Sequence, residues 1–283
     1  MTAGQPYATS STWMGLAVET TRGTGVAPTV YIPISAPNLV PSQTMLEDKG
    51  LRGSAVDVYG QVQGVRHDEY DFGGDVFVDS FPNLVRATLW SADTVTGTGP
   101  YVHQIGLLNN DAVHGNQPPS YTLTDFVGDK ARQLAAAQAS DLSLKFNAEQ
   151  MFSYTAKFMS MPYTTPTTPT PTWGTLQPVA AWHGTAKING TAVTRLVDGT
   201  LDLKRGTKPI HTVGTTNAPY RLWAGPLSTS GKLTLVFEDD TDLLLYLNNT
   251  QQSLELIFTD PNVSTSQIDI LLPQVSMKTG KIV

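Results

Sequence analysis

A chain of 283 residues, 40% of them hydrophobic, has apolar material enough for one large β domain or two ordinary ones. Charged residues make up only 15% and the net charge is -6, which argues against a dedicated nucleic-acid binder, because such proteins carry a basic surplus that neutralises phosphates. The absence of cysteine excludes disulfide frameworks, thiolate metal sites and cysteine nucleophiles.

Taken in chain order, Met1 to Ser11 is polar and has neither the basic start nor the apolar stretch of a signal peptide. No later run approaches the length of a membrane span, so the expectation is a soluble product made in the cytoplasm, with no membrane partner. Arg22-Gly23-Thr24-Gly25 resembles a phosphate loop only superficially: no Lys-Ser/Thr follows and no helix begins there, so a turn is expected. Arg66, His67, Asp68, Glu69 and Asp71 bring a cation, a base and acids within six residues. Consecutive strand residues face opposite ways, so His67 and Asp68 would not converge for catalysis, and an inter-subunit contact is the expected role.

The strand signature at Asp75 to Asp79 leads into a predicted helix at Pro82 to Trp90, with Pro at an early helical position and Leu84, Val85, Thr88 and Leu89 at helical spacing. Ala131 to Ala139 is open between helix by propensity and strand or turn by its surroundings. Two-residue alternation then marks strands at Leu142, Leu144 and Phe146, and at Phe152, Tyr154, Ala156 and Phe158. Thr164 to Thr172 alternates Thr with Pro and predicts an extended linker. Beyond it, alternation returns at Leu201 and Leu203, at Leu233, Leu235 and Phe237, and at Leu254, Leu256 and Phe258. A second helix is predicted at Thr241 to Asn248, with Glu238, Asp239 and Asp240 available to cap it. With Asp242 these acids lack the spacing and central Gly of an EF-hand, so capping is preferred to cation binding.

The order of elements repeats on either side of the linker: a strand pair, a strand ending in acids, a short helix, then more strands. This predicts two related β domains, residues 1–163 and 175–283, joined by the linker 164–174. In that alignment Tyr121 to Val127 corresponds to Ser253 to Thr259 and Ser140 to Phe146 to about Gln274 to Val283, leaving Met151 to Met159 without a counterpart. The second domain is therefore expected to lack a final strand, or to receive it from a neighbour.

Histidines 67, 103, 114, 183 and 211 are scattered without zinc spacing, and no cofactor is expected. The sequons at Asn189, Asn248 and Asn262 carry no weight without a secretion signal. A carbohydrate-binding β-sandwich, stacking sugars on Trp173, Trp182 and Trp223, is the alternative reading, with core or interface packing the expected role of those rings. A hydrolase lacks any converging nucleophile, base and orienter.

Several stretches resemble the major tail tube proteins of long-tailed, siphovirus-type phages, the actinobacteriophage group in particular. They are the run from Val18 to Thr29, Glu47 to Gly53, Gly64 to Asp75, Leu203-Lys204-Arg205 with Pro209 to Thr212, and Phe237 to Asp242 with Tyr246 to Thr250. The resemblance is nearly end to end and contains no catalytic motif. It implies a mainly β, antiparallel sandwich or barrel-like tail tube fold, here two tandem domains with one short helix each. It implies a virion protein whose partner is itself, in stacked rings of three or six chains. The implied further partners are tail terminator and tail tip proteins, with the tape measure protein and then DNA passing through the lumen.

Overall fold

The computed structural model describes residues 7–89, 93–107, 115–214, 216–260 and 262–281. The β-branched and aromatic alternation becomes strands β1 (Trp13–Val18), β2 (Val30–Ile32), β3 (Ser35–Asp48) and β4 (Gly60–Asp75), followed by α1 (Pro82–Leu89). Short strands β5 (Thr94–Thr96) and β6 (Val102–Gln104) precede β7 (Tyr121–Val127), β8 (Lys130–Asn147) and β9 (Ser153–Ser160). After the linker come β10 (Gly184–Ile188), β11 (Thr191–Val193), β12 (Leu196–Arg205), β13 (Lys208–Ile210), β14 (Arg221–Trp223) and β15 (Leu227–Leu235). Helix α2 (Thr241–Leu247), β16 (Gln252–Thr259) and β17 (Gln267–Val275) complete the order. The fold is mainly β, with antiparallel sheets and two short helices, as expected. Trp90 and His114 lie outside the described residues.

Ala131 to Ala139 lies in β8 and is not a helix. Pairing with β7 places Ala131, Leu134 and Ala137 in the core, and that burial outweighs alanine's helix propensity. A bulge between Leu134 and Ala137 accommodates Ala136 at φ 53° and bends the strand. Opposite edges of Gln133 meet Thr124 of β7 and Thr164, while opposite edges of Asp141 meet Lys157 of β9 and Lys204 of β12. One edge of β8 therefore carries β7 and then β12, and the other follows β9 into the linker.

Through this shared strand a six-stranded sheet runs in the order β3-β4-β9-β8-β12-β15 and spans both sides of the linker. Its apolar face presents Tyr70, Phe72, Phe158, Leu142, Leu144, Leu201 and Leu203. Sheet β2-β1-β7-β8 covers the first part of this face with Met14, Leu16, Ile32 and Leu123, and sheet β11-β10-β16-β17 covers the second with Ala186, Leu254, Leu256 and Phe258. Phe258 stacks on Phe152 at 4.1 Å and approaches Phe146 at 5.4 Å, so one apolar core is continuous from end to end.

The strand orders on the two sides of the linker coincide. Sheets β2-β1-β7-β8 and β11-β10-β16-β17 follow the same sequence of hairpin, partner and hairpin, and β3-β4 stands to the first as β12-β15 stands to the second. The bulges coincide too: Tyr121/Leu123 face Ala137/Leu134, and Gln252/Leu254 face Val275/Leu272, with one extra residue in the second strand each time. Between β10 and β11, Asn189 and Gly190 hold φ of 49° and 78°, the two-residue turn that matches strand twist. No described strand covers the edge of β15 as β9 covers β4.

Candidate assembly surfaces

On β4 the charged run divides by face. Arg66 donates to both oxygens of Asp68 at 3.0 Å, and Tyr163 N donates to Asp68 at 2.9 Å. Asp68 is fully buried, so this pair is directed into the chain, where the Arg66 guanidinium also lies over the Tyr163 ring. His67, Glu69 and Asp71 point the other way. His67 lies 3.6 Å from Glu69, and Lys157 of β9 lies 2.7 Å from Glu69 and 4.0 Å from Asp71. Asp71 is a surface residue whose carboxyl is raised by partial desolvation, against the pull of Lys157. The hydrogen bond from Lys157 holds Glu69 below the usual carboxylate range, against an opposing effect of burial.

These residues begin a polar face that continues across the six-stranded sheet on the side away from the core. Asp141, Ser143 and Lys145 of β8, Thr200, Asp202 and Lys204 of β12, and Ser230 and Lys232 of β15 extend it in register. Ser143 donates to Asp202, and Thr234 donates to Asp198 at 3.0 Å. A shallow depression of about 530 Å³, lined by Asp71, Asp75, Asp141, Thr155 and Lys157 among others, makes part of it concave. Acids alternate with lysines and small hydroxyl residues, a composition that neither holds nor strongly repels a polyanion.

The Glu69–Lys157 pair makes a pH prediction. Because the folded pKa of Glu69 is depressed, its contribution is complete above the ordinary value of 4.5 and is lost as pH falls through the folded value. Asp71 works in reverse, its raised pKa costing stability once it ionises. Replacing Lys157 by Met should move both carboxyl midpoints upward in an NMR titration. The side chain of Lys157 is 39% exposed, so solvent screening limits the stability loss to about 0.5 kcal/mol at neutral pH.

The remaining sequence candidates resolve into local structure. Arg22 to Gly25 is a turn, closed by Thr24 N donating to Thr21 O at 3.0 Å with Gly23 at φ 80°. Before α2 the N-cap position is Asp240, and Asp239 ahead of it accepts from Thr241 N at 2.8 Å and is held below its usual range by the Thr241 hydroxyl and amide. Asp240 makes no side-chain cap bond, while Glu238 and Asp242 pair with Arg195. His103 pairs with Asp93, and His183 contacts the Thr259 carbonyl. Burial and then His67 hold His211 below its ordinary pKa. Among the described residues no group of His, Asp and Glu is arranged to hold a metal.

Two apolar surfaces stay open. On the far half of the β3–β4 hairpin and its loop, Met45, Leu46, Leu51 and Val62 are 53% to 100% exposed. Helix α2 buries none of its residues, and Leu244 and Leu247 are exposed, as are Val236 and Phe237 ahead of the helix. Trp173, Trp182 and Trp223 are about half exposed, so they are not core residues, and no ring contact joins any two of them. No described helix is long and apolar enough to cross a membrane.

Open strand edges, exposed apolar stripes and a broad polar sheet face define a structural β protein that functions by associating with itself. The chain belongs to the phage tail tube protein family, whose model matches residues 9–281. It is thus a structural component of the virion tail that assembles into a tube, in a family not known for enzymatic activity. Comparison with curated proteins finds no match.

Proposed function

We propose that this chain is the major tail tube subunit of a siphovirus-type actinobacteriophage, and that three copies form a ring whose channel is lined by the polar face of the six-stranded sheet. The observation that carries this reading is the continuity of that sheet across the linker, with equivalent strand pairs contributed from both sides. Two tandem domains, residues 1–163 and 175–283, then supply six units per ring of three chains. Rings stack by translation along the axis, as heterologous contacts allow. Obligate interfaces of this kind bury more than about 2,000 Å². His67, Glu69 and Asp71 lie on the channel side, and Arg66 and Asp68 contribute to the contact by stiffening β4 beneath them. The open edge of β15 is completed on assembly.

The tube takes shape in the host cytoplasm around the tape measure protein, between tail tip and tail terminator, and conducts DNA during ejection into the bacterial host. Interleaved acids and lysines suit that passage, because a basic lining would retain phosphates. Negative-stain microscopy of the purified protein at rising concentration tests the reading. Hollow filaments of uniform bore, with threefold cross-sections, are expected. Persistent monomers, sixfold rings of six chains, or a net basic channel would each contradict the corresponding part.

A further inference from the structure

Resting on the tube reading, the geometry points to one specific joint between copies: residues 276–281 of one chain pair with the outer edge of β3 of the next. The joint already exists once inside the chain. There β12 pairs with the second half of β8, and its last residue, Arg205, ties the end of α1 to the segment that follows β12. Arg205 donates to Thr88 O at the end of α1 at 2.6 Å, and Ala224 exchanges two hydrogen bonds with Gln117 at 2.9 and 3.2 Å. Leu84 of α1 and Leu222 of β14 are both buried.

Each part of that joint has an unpartnered equivalent. The coincident bulges align Ala137 with Val275, so Asp141 corresponds to Thr279, in the segment that follows β17. That segment lies over α2 as β8 lies over α1, with Gly280 close enough that a Cβ there would come within 3.1 Å of the Tyr246 ring. Strand β3 holds the place of β12, each following a β hairpin and pairing with the strand before a helix. Both strands shift register near their start, between Ser35 and Asn38 in β3 and between Leu196 and Asp198 in β12, which aligns Asn38 with Asp198, core-facing Leu39 with Gly199, and Thr44 with Lys204. Inside the chain Lys204 faces Asp141. Between chains Thr44 then faces Thr279.

The surfaces left open are those that the internal joint covers. Helix α2 has no buried residue where α1 has three, and the distal β3–β4 hairpin, in the place of the segment between β12 and β15, exposes Met45, Leu46 and Val62. Laid on a neighbour's α2 these side chains meet Leu244 and Leu247. Pro37 and Pro41 remove donors from β3, which limits free strands adding to it at random, so the apolar closure is needed to complete the joint. The occupant is a second copy of this chain because only a second copy brings the segment, the helix and the hairpin in the spacing of the internal joint.

The cysteine-free chain permits a direct test. In tubes assembled from the double variant Thr44→Cys and Thr279→Cys, oxidation should give covalent multimers on a denaturing gel, ending at the number of copies in a ring. Directly opposed strand residues have Cβ atoms about 4.5–5.5 Å apart, near enough to bridge after a small adjustment. Either single variant should stay monomeric, and Ser42→Cys with Thr279→Cys reports a register shifted by two. In the unmodified protein, amides of β3 and of residues 276–281 should gain hydrogen-exchange protection on assembly. Tubes that form without crosslinks in either register, or without protection in these two segments, overturn the joint and leave the tube reading standing. A protein that never polymerises removes the ground of both.

Discussion

Replacing Glu19 by Ala should destabilise the unassembled chain by about 3 kcal/mol or more, a loss read from urea denaturation at low protein concentration. Glu19 sits at the end of β1 inside the run from Val18 to Thr29, and it is 7% exposed. Its carboxylate accepts from Ser120 Oγ at 2.6 Å, Thr122 Oγ1 at 3.0 Å, Gly23 N at 2.7 Å and Ala136 N at 2.8 Å. Two of these donors are backbone amides with special geometry, one in the turn at positive φ and one in the bulge that bends β8. Truncation strands both amides away from water, and a buried unsatisfied amide costs far more than a lost exposed hydrogen bond. Gln in place of Glu keeps one acceptor oxygen but turns an amide nitrogen toward donors, so about half the loss is expected. An unchanged denaturation midpoint for the Ala variant would show that the bulge and turn hold themselves.

How far the sequence discloses this arrangement depends on whether the determinant is local. Strands at Leu142–Phe146 or Leu254–Phe258 are legible because alternation alone exposes which face is buried. Both helices are legible from Pro82 and from the acids before Thr241, whereas Asn189-Gly190, read only as a sequon, turns out to be the hairpin turn between β10 and β11. The fate of Ala131 to Ala139 is not legible, because its helix propensity is overruled by β7 pairing that no local window contains. Asp68 illustrates the same limit. Its alternation with His67 is plain, yet its burial depends on Tyr163, which is 95 residues away. Nor does any local feature tell that β8 offers one edge to two successive strands, which is what carries the sheet past the linker.

Aspartate placed in the two helices should have opposite consequences, and the contrast separates folding from assembly. In α1, Leu84 is 1% exposed and packs in the shared core, so Leu84→Asp buries a charge without a partner and should cost about 3–5 kcal/mol or prevent folding. In α2, Leu247 is 62% exposed in the single chain, so Leu247→Asp should change monomer stability by no more than about 0.5 kcal/mol. Assembly is another matter. A neighbour seated on α2 desolvates that position, and an unpaired carboxylate there should weaken each ring contact by about 3 kcal/mol, on the order of a hundredfold in affinity. Because every subunit in a ring meets the same penalty, filaments should disappear at concentrations where the parent protein polymerises fully. Sedimentation velocity with denaturation on the same samples checks both halves. A Leu247→Asp protein that stays folded and still forms tubes would show that α2 faces solvent in the assembled tail, and a loss of fold equal to that of Leu84→Asp would show that α2 belongs to the core after all.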